Sequence, residues 1–157
     1  MLAIRSYAPH DADATIDIFL RAIREVASKD YTPAQVAAWA QVEDRDAWAR
    51  KRASRPTWIA TFDDAPVGFS DLEADGHLDM MFVHPQFQGR GVASLLLATV
   101  EQAARAQATP LITTEASLTA RPFFLSRGFG VVTAQEVWRR GEAFRNFRME
   151  KRLTGAG

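Results

Sequence analysis

The segment from His77 to Thr114 constrains the fold of this chain more than any other stretch. Apolar residues crowd its start, His77-Leu78-Asp79-Met80-Met81-Phe82-Val83, and the chain turns at Pro85. Gln88-Gly89-Arg90-Gly91-Val92-Ala93 then opens a helix over 91–107, with Val92, Leu95, Leu96, Thr99, Val100, Ala103 and Ala104 on one stripe. That helix stops before Pro110, and Leu111–Thr114 reads as a strand. Strand, helix and strand in this order form a βαβ unit, which predicts parallel strands at 77–83 and 111–114. The first of these is apolar on both faces towards its end, as a central strand is. Glycines at the helix start let backbone N–H groups point outward together, at the positive end of the helix dipole. That is a cradle for phosphate, and it suggests a cofactor bearing a pyrophosphate.

The flanking segments complete a mixed α/β domain with one sheet covered by helices. Leu2–Arg5 reads as a short first strand, and Pro9 to about Ser28 as a helix with Ile16, Phe19, Leu20 and Ile23 on one face. Thr32-Pro33-Ala34-Gln35 is a helix start: Thr32 as N-cap, Pro33 at the first helical position, and Gln35 closing a capping box. Asp44 caps a further helix running through Trp48 towards Arg55-Pro56. Strands at Thr57–Phe62 and Val67–Leu72 are joined by the turn signal Asp63-Asp64-Ala65-Pro66. A helix over 118–127 ends at Gly128, and strands near 129–138 and 143–152 flank Gly141.

Composition narrows the function. The 157 residues suffice for one domain, expected over 1–153, with 154–157 as a frayed, disordered tail. Nineteen basic and nineteen acidic residues balance, so no bulk field favours nucleic acid or an anionic membrane. Arg139-Arg140 and Arg50-Lys51-Arg52 read as solvated faces. No run is long and apolar enough to span a bilayer, and no signal-like segment opens the chain, so the default compartment is the cytoplasm. The absence of cysteine excludes an acyl-cysteine intermediate and any thiolate metal site. Neither a Gly-x-Ser-x-Gly elbow nor a Gly-x-x-x-x-Gly-Lys-Ser/Thr loop is present. His77 and Asp79 can pair on a metal, but the sequence shows no convincing third ligand, so no metal is expected.

Two blocks carry a family resemblance. Gln88-x-x-Gly91-x-Ala93 lies between a central strand and a long helix, and Ala120-x-x-Phe123-Phe124-x-x-x-Gly128-Phe129 follows at the right distance. With them the chain resembles the GNAT superfamily of acyl-CoA-dependent N-acetyltransferases. A finer likeness, through Tyr31-Thr32-Pro33-x-Gln35-x-x-Ala38-Trp39 and Asn146-Phe147-x-Met149, is to the small bacterial YafP-like branch.

The resemblance implies a central, strongly twisted mixed sheet of six to seven strands flanked by about four helices. It implies an acyltransferase moving acetyl from acetyl-CoA directly to a primary amine, on a small molecule or peptide, through a ternary complex. The alternative is a catalytically silent module that binds or senses acyl-CoA. Backbone N–H groups of Gln88, Gly89, Arg90, Gly91, Val92 and Ala93 would hold the pyrophosphate, with Arg90 adding charge. The pantetheine arm would pair with the exposed edge of the fourth strand at Met81, Phe82 and Val83, and the Met81 N–H would face the developing oxyanion. Ser117 stands where the family often has an Asn that contacts pantetheine. Phe124 stands where it often has a Tyr acting as general acid, and Tyr31 is the replacement hydroxyl. Family carboxylates at the positions of Asp79 and His77 orient or deprotonate the acceptor, so Asp79 is the first candidate base and His77 the second. Tyr31, Trp39 and Trp48 are candidates to line an acceptor pocket, and Trp138 and Arg140 to close over it. A homodimer is an assembly state common in such families; neither nucleic acid nor membrane is an expected partner.

Overall fold

The computed structural model describes residues 1–154, so residues 155–157 of the expected tail lie outside the described residues. The chain runs β1 (Leu2–Ser6), α1 (Ala12–Glu25), α2 (Pro33–Trp39), α3 (Arg45–Ala53), β2 (Thr57–Phe62), β3 (Ala65–Asp71), β4 (Met81–Val83), α4 (Val92–Ala106), β5 (Leu111–Ala116), α5 (Arg121–Ser126), β6 (Gly130–Arg139) and β7 (Glu142–Arg152). Local chemistry accounts for most of these bounds. At α2, Thr32 Oγ1 accepts from the Gln35 N–H at 3.1 Å, and Gln35 Oε1 accepts from the Thr32 N–H at 2.9 Å. The Gln35 side chain also donates to the Ala143 carbonyl at 2.7 Å, tying α2 to β7. Asp63 and Asp64 take φ of 49° and 70°, the left-handed pair that a tight hairpin between β2 and β3 requires.

The seven strands form two antiparallel sheets, ordered β1-β2-β3-β4 and β5-β7-β6. The sheets meet at a parallel bridge between His77 and Thr113. There the Leu78 N–H donates to the Thr113 carbonyl at 2.8 Å, and the Thr113 N–H to the Gly76 carbonyl at 3.1 Å. Gly76 must be glycine, because at φ 92° an added Cβ would lie 2.3 Å from the Leu111 carbonyl oxygen.

The strand read as 77–83 is therefore broken, and its ladder covers Met81–Val83 alone. Asp71 causes the break: its Oδ1 accepts from the N–H groups of both Asp79 and Met80, each at 2.9 Å. Successive N–H groups of a regular strand point to opposite sides, so two turned onto one oxygen end the regular pleat. Before this point the chain belongs to β5, and after it to β3. The expected parallel pairing of 77–83 with 111–114 survives only at its first residues.

Hydrophobic layers fix the two sheets on either side of this parting. Ile18, Phe19 and Ile23 of α1 pack on Ile59 and Phe69. Leu97, Val100 and Ala104 of α4 pack on Ile112, Phe147 and Met149. Each such side chain, fully buried, contributes about 1.5–3 kcal/mol.

Candidate active site

Where β4 leaves β5 a groove of about 420 Å³ opens. Met81, Phe82 and Val83 line one wall; Gln88, Gly89, Gly91, Val92 and Ala93 line one end; Ser117 and Phe124 face them. Ten of the residues assigned from sequence to cofactor binding thus converge on a single concavity.

The hydrogen-bond pattern gives the direction of the β4 backbone. The Met80 carbonyl accepts from the Asp71 N–H at 3.3 Å, and the His84 N–H donates to the Val67 carbonyl at 2.8 Å. Residues 80, 82 and 84 therefore turn their peptide groups towards β3, and alternation turns those of Met81 and Val83 away, towards the groove. The Val83 carbonyl accepts from the Gln88 side chain at 3.0 Å, so Gln88 pins the turn. Phe82 departs from expectation: its peptide is used in the β3 ladder, and its ring packs against Phe19 and Phe69 at centroid distances of 5.0 and 5.9 Å.

At the start of α4, Gly89 and Gly91 have φ of 73° and 83°, and a Cβ on either would meet nothing within 4 Å. Glycine is required there by backbone conformation, and it leaves the space above the amides open. Gly91 supplies no side-chain cap, so the first N–H groups of a 15-residue helix have no intrahelical partner. Arg90 does not join this wall; its guanidinium lies over the Phe87 ring, 5.1 Å from the centroid. The cation lining the groove is Arg127, which donates to Ser94 Oγ and lies over Phe123 at 5.3 Å.

Phe124 is buried against Phe123 and Phe129, at centroid distances of 5.4 and 5.0 Å, and offers no proton. Tyr31 Oη accepts from the Leu118 N–H at 2.8 Å. Burial raises its pKa, and hydrogen bonding to Leu118 and Ser117 only partly offsets this, so Tyr31 stays protonated at neutral pH. Ser117 Oγ accepts from the Ala120 N–H at 3.0 Å. Tyr31 lines a second pocket of about 60 Å³, which shares Trp39 and Ser117 with the groove. Trp48 lies elsewhere, its ring on Phe19 and its indole N–H donating to Thr15 at 2.9 Å.

His77 and Asp79 enter neither concavity; they belong to a charged cluster at the break in the strand. Asp79 Oδ2 lies 3.4 Å from Arg55 and 3.7 Å from the buried Arg52. His77 Nδ1 is 2.7 Å from Glu73, and its Nε2 is 2.9 Å from both oxygens of Glu115. Burial works against a charged imidazole, but the hydrogen bond to Glu73 and the charge of Glu115 outweigh it and raise the His77 pKa. Contrary to the sequence reading, a third potential metal donor is present: atoms of Glu73, His77 and Asp79 lie within 4.8 Å of one another. Arg55, 3.1 Å from Glu73 and 3.4 Å from Asp79, already supplies a cation to both carboxylates.

Residues 27–153 match the family model for an acetyltransferase (GNAT) domain. The chain belongs to the GNAT acetyltransferases. It is 40% identical over 148 residues to the uncharacterized N-acetyltransferase YafP of Escherichia coli K12, covering 94% of each chain, which places it with the YafP-like branch. The crystal structure of a GCN5-related N-acetyltransferase from Rhodopseudomonas palustris superposes with a TM-score of 0.93, at 36% identity over 96% of this chain and 95% of that one. PaiA N-acetyltransferase from Thermoplasma acidophilum, in complex with coenzyme A, shares the fold with a TM-score of 0.80 at 14% identity, over 98% and 99% of the chains.

Several residues of this GNAT site escape a sequence reading. Asp71 is one, although an acidic residue closing an otherwise apolar strand is itself a signal. Glu115 and Arg127 carry no local mark, and Arg139, read as part of a solvated face, is exposed yet also lines the pocket beside the groove; the fold alone brings the three to the groove or that pocket. Trp138 and Arg140 line neither the groove nor the pocket beside it. Trp138 is 67% exposed, and Arg140 is bound to Glu43 at 3.0 Å and to the Ala38 carbonyl.

Proposed function

We propose that this GNAT protein transfers the acetyl group of acetyl-CoA directly to a primary amine within a ternary complex. The observation that carries the reading is the groove in which the free edge of β4 and the uncapped start of α4 present main-chain donors to one space. A fold neighbour, PaiA from Thermoplasma acidophilum, carries coenzyme A. Acetyl-CoA supplies the acyl group already activated as a thioester. The N–H groups at the start of α4, with Arg127, hold the diphosphate through the helix dipole and one side-chain charge. The Met81 N–H, directed into the groove, stabilises the oxyanion that develops on the acetyl carbonyl.

The acceptor must attack as a neutral amine, whereas a lysine-like ammonium has a pKa of about 10.4. Asp79 takes its proton through an intervening water, because Asp79 does not line the groove, whereas Met81, two residues on, does. Tyr31 is the hydroxyl available to the departing thiolate, which needs little help because an ordinary thiol has a pKa of about 8.5. The hydrocarbon ring of Phe124 favours a second reading, a silent acyl-CoA-binding module.

Thiol release from acetyl-CoA over a broad panel of amines separates the two. Turnover with some amines is expected, and Asp79→Asn should lower kcat by about 10²-fold or more while leaving CoA affinity nearly intact. Tight CoA binding with no turnover of any amine would establish the silent module instead. Normal kcat in Asp79→Asn would remove the base assignment.

A further inference from the structure

The pocket beside the groove contains a charge arrangement that acetyl transfer alone does not use. At about 60 Å³ it has room for a group the size of a carboxylate. The charged residues lining it are Glu115, Arg139 and Arg145. Glu115 is already compensated, since both its oxygens lie 2.9 Å from His77 Nε2. Arg139 and Arg145 stand exposed at the rim of the pocket, with neither an ion-pair partner nor a hydrogen bond among the described residues, and Arg145 lies over the Phe147 ring at 5.7 Å.

Strand alternation explains why Arg139 faces this way. Val137 and Arg139 of β6 line the pocket, while Trp138 between them is 67% exposed. The contrast with Arg140 is informative, because its guanidinium is fully engaged by Glu43 and the Ala38 carbonyl. Although Arg139 is exposed along much of its length, partial desolvation at the pocket, aided by the charge of Arg140, lowers its pKa, with only partial relief from Asp79 and Tyr31. A guanidinium in that position lacks a counter-ion. Asn146 also lines the pocket and its Oδ1 is buried without a partner; a flipped amide would place an NH₂ donor there instead.

Resting on the acetyl-transfer reading and deepening it, we propose that the amine acceptor also carries a carboxylate, which Arg139 and Arg145 bind in this pocket. The pocket and the groove share Trp39 and Ser117, so a short molecule anchored by its carboxylate reaches the groove with its amine. The same two guanidinium groups repel polyamines and aminoglycosides, whose remaining groups are cationic. The acceptor class is therefore small amino acids rather than polycations.

The test uses matched pairs: glycine, β-alanine and a set of L-amino acids, each against its amide, with spermidine as a cationic control. Initial rates of thiol release are measured alongside calorimetric binding of the same compounds to CoA-saturated protein. The acids are expected to exceed their amides in kcat/KM by about tenfold or more, with spermidine poorest. Arg139→Gln should reduce kcat/KM and binding for the acids by about 10–100-fold, affect the amides far less, and be partly rescued by Arg139→Lys. Binding of the acids that depends on Arg139 without turnover of any amine would uphold the carboxylate pocket while refuting acetyl transfer. Acids that neither bind nor react, amides or spermidine preferred over them, or acids indifferent to Arg139→Gln would overturn the proposal.

Discussion

Replacing Asp71 with alanine should undo the parting of β4 from β5, because that carboxylate alone holds the two N–H groups at the break. Asp71 is 0% exposed; its Oδ1 accepts from Asp79 and Met80 at 2.9 Å each, and its Oδ2 lies 3.8 Å from Arg55. A hydrogen bond to a charged group has a net worth of about 1.5–3 kcal/mol, so losing both destabilises the protein by about 3–6 kcal/mol. For a chain of this size that lowers Tm by about 6–24 °C. Asparagine keeps an oxygen in the same place and should remain within about 1 kcal/mol of the wild type. The pH dependence has a definite sign. Burial raises the Asp71 pKa above its ordinary 3.8 despite the bonds from Met80 and Asp79. Its favourable contribution is thus fully present below 3.8 and lost as pH rises through the folded value, so Asp71→Asn should gain on the wild type in that direction. Urea unfolding at acidic and neutral pH reads both effects. Equal midpoints for the alanine and asparagine variants would refute the role given to this carboxylate.

Other perturbations act on separate parts of the molecule. Gly91→Glu places a side chain at φ 83°, costing about 1–2 kcal/mol of backbone strain, and brings negative charge to the α4 start; calorimetry should show CoA affinity reduced about tenfold or more. The hydrogen bonds from Arg5, foremost, depress the Asp11 pKa below 3.8 against the opposing effect of burial. That stability is present above 3.8 and lost as pH falls through the folded value, so an Asp11→Asn variant, destabilised by about 1–3 kcal/mol at neutral pH, should converge on the wild type in acid. The imidazole of His77 should titrate above 6.5 by proton NMR and move downward in Glu115→Gln. Its contribution to stability is complete below 6.5 and disappears as pH rises through the folded pKa.

Elements whose causes are local were legible before any coordinates. The capping box of α2, the hairpin at Asp63-Asp64 and the glycine-led start of α4 depend on neighbours within a few residues, and each formed as read. The groove itself was legible for the same reason, since one short segment supplies most of its main chain. The break in the strand at Asp79 was not. An apolar run looks alike whether it keeps one partner or exchanges β5 for β3, and the deciding carboxylate lies in β3, outside the run. The pocket beside the groove was harder still, because it is assembled from both ends of α2, the end of β5 and the β6–β7 pair. There Arg139 is the last residue of β6, whereas Arg140 lies in the following turn at φ 48°, so one residue decides which guanidinium reaches the pocket.

Amide chemical-shift mapping during a CoA titration tests most directly whether main-chain donors grip the ligand. The largest shifts are predicted at Gly89, Gly91, Val92 and Ala93, with Met81 and Val83 responding on the β4 edge and Phe82 far less. Saturable binding that leaves the α4-start amides unmoved, or that shifts Phe82 as strongly as its neighbours, would contradict the account.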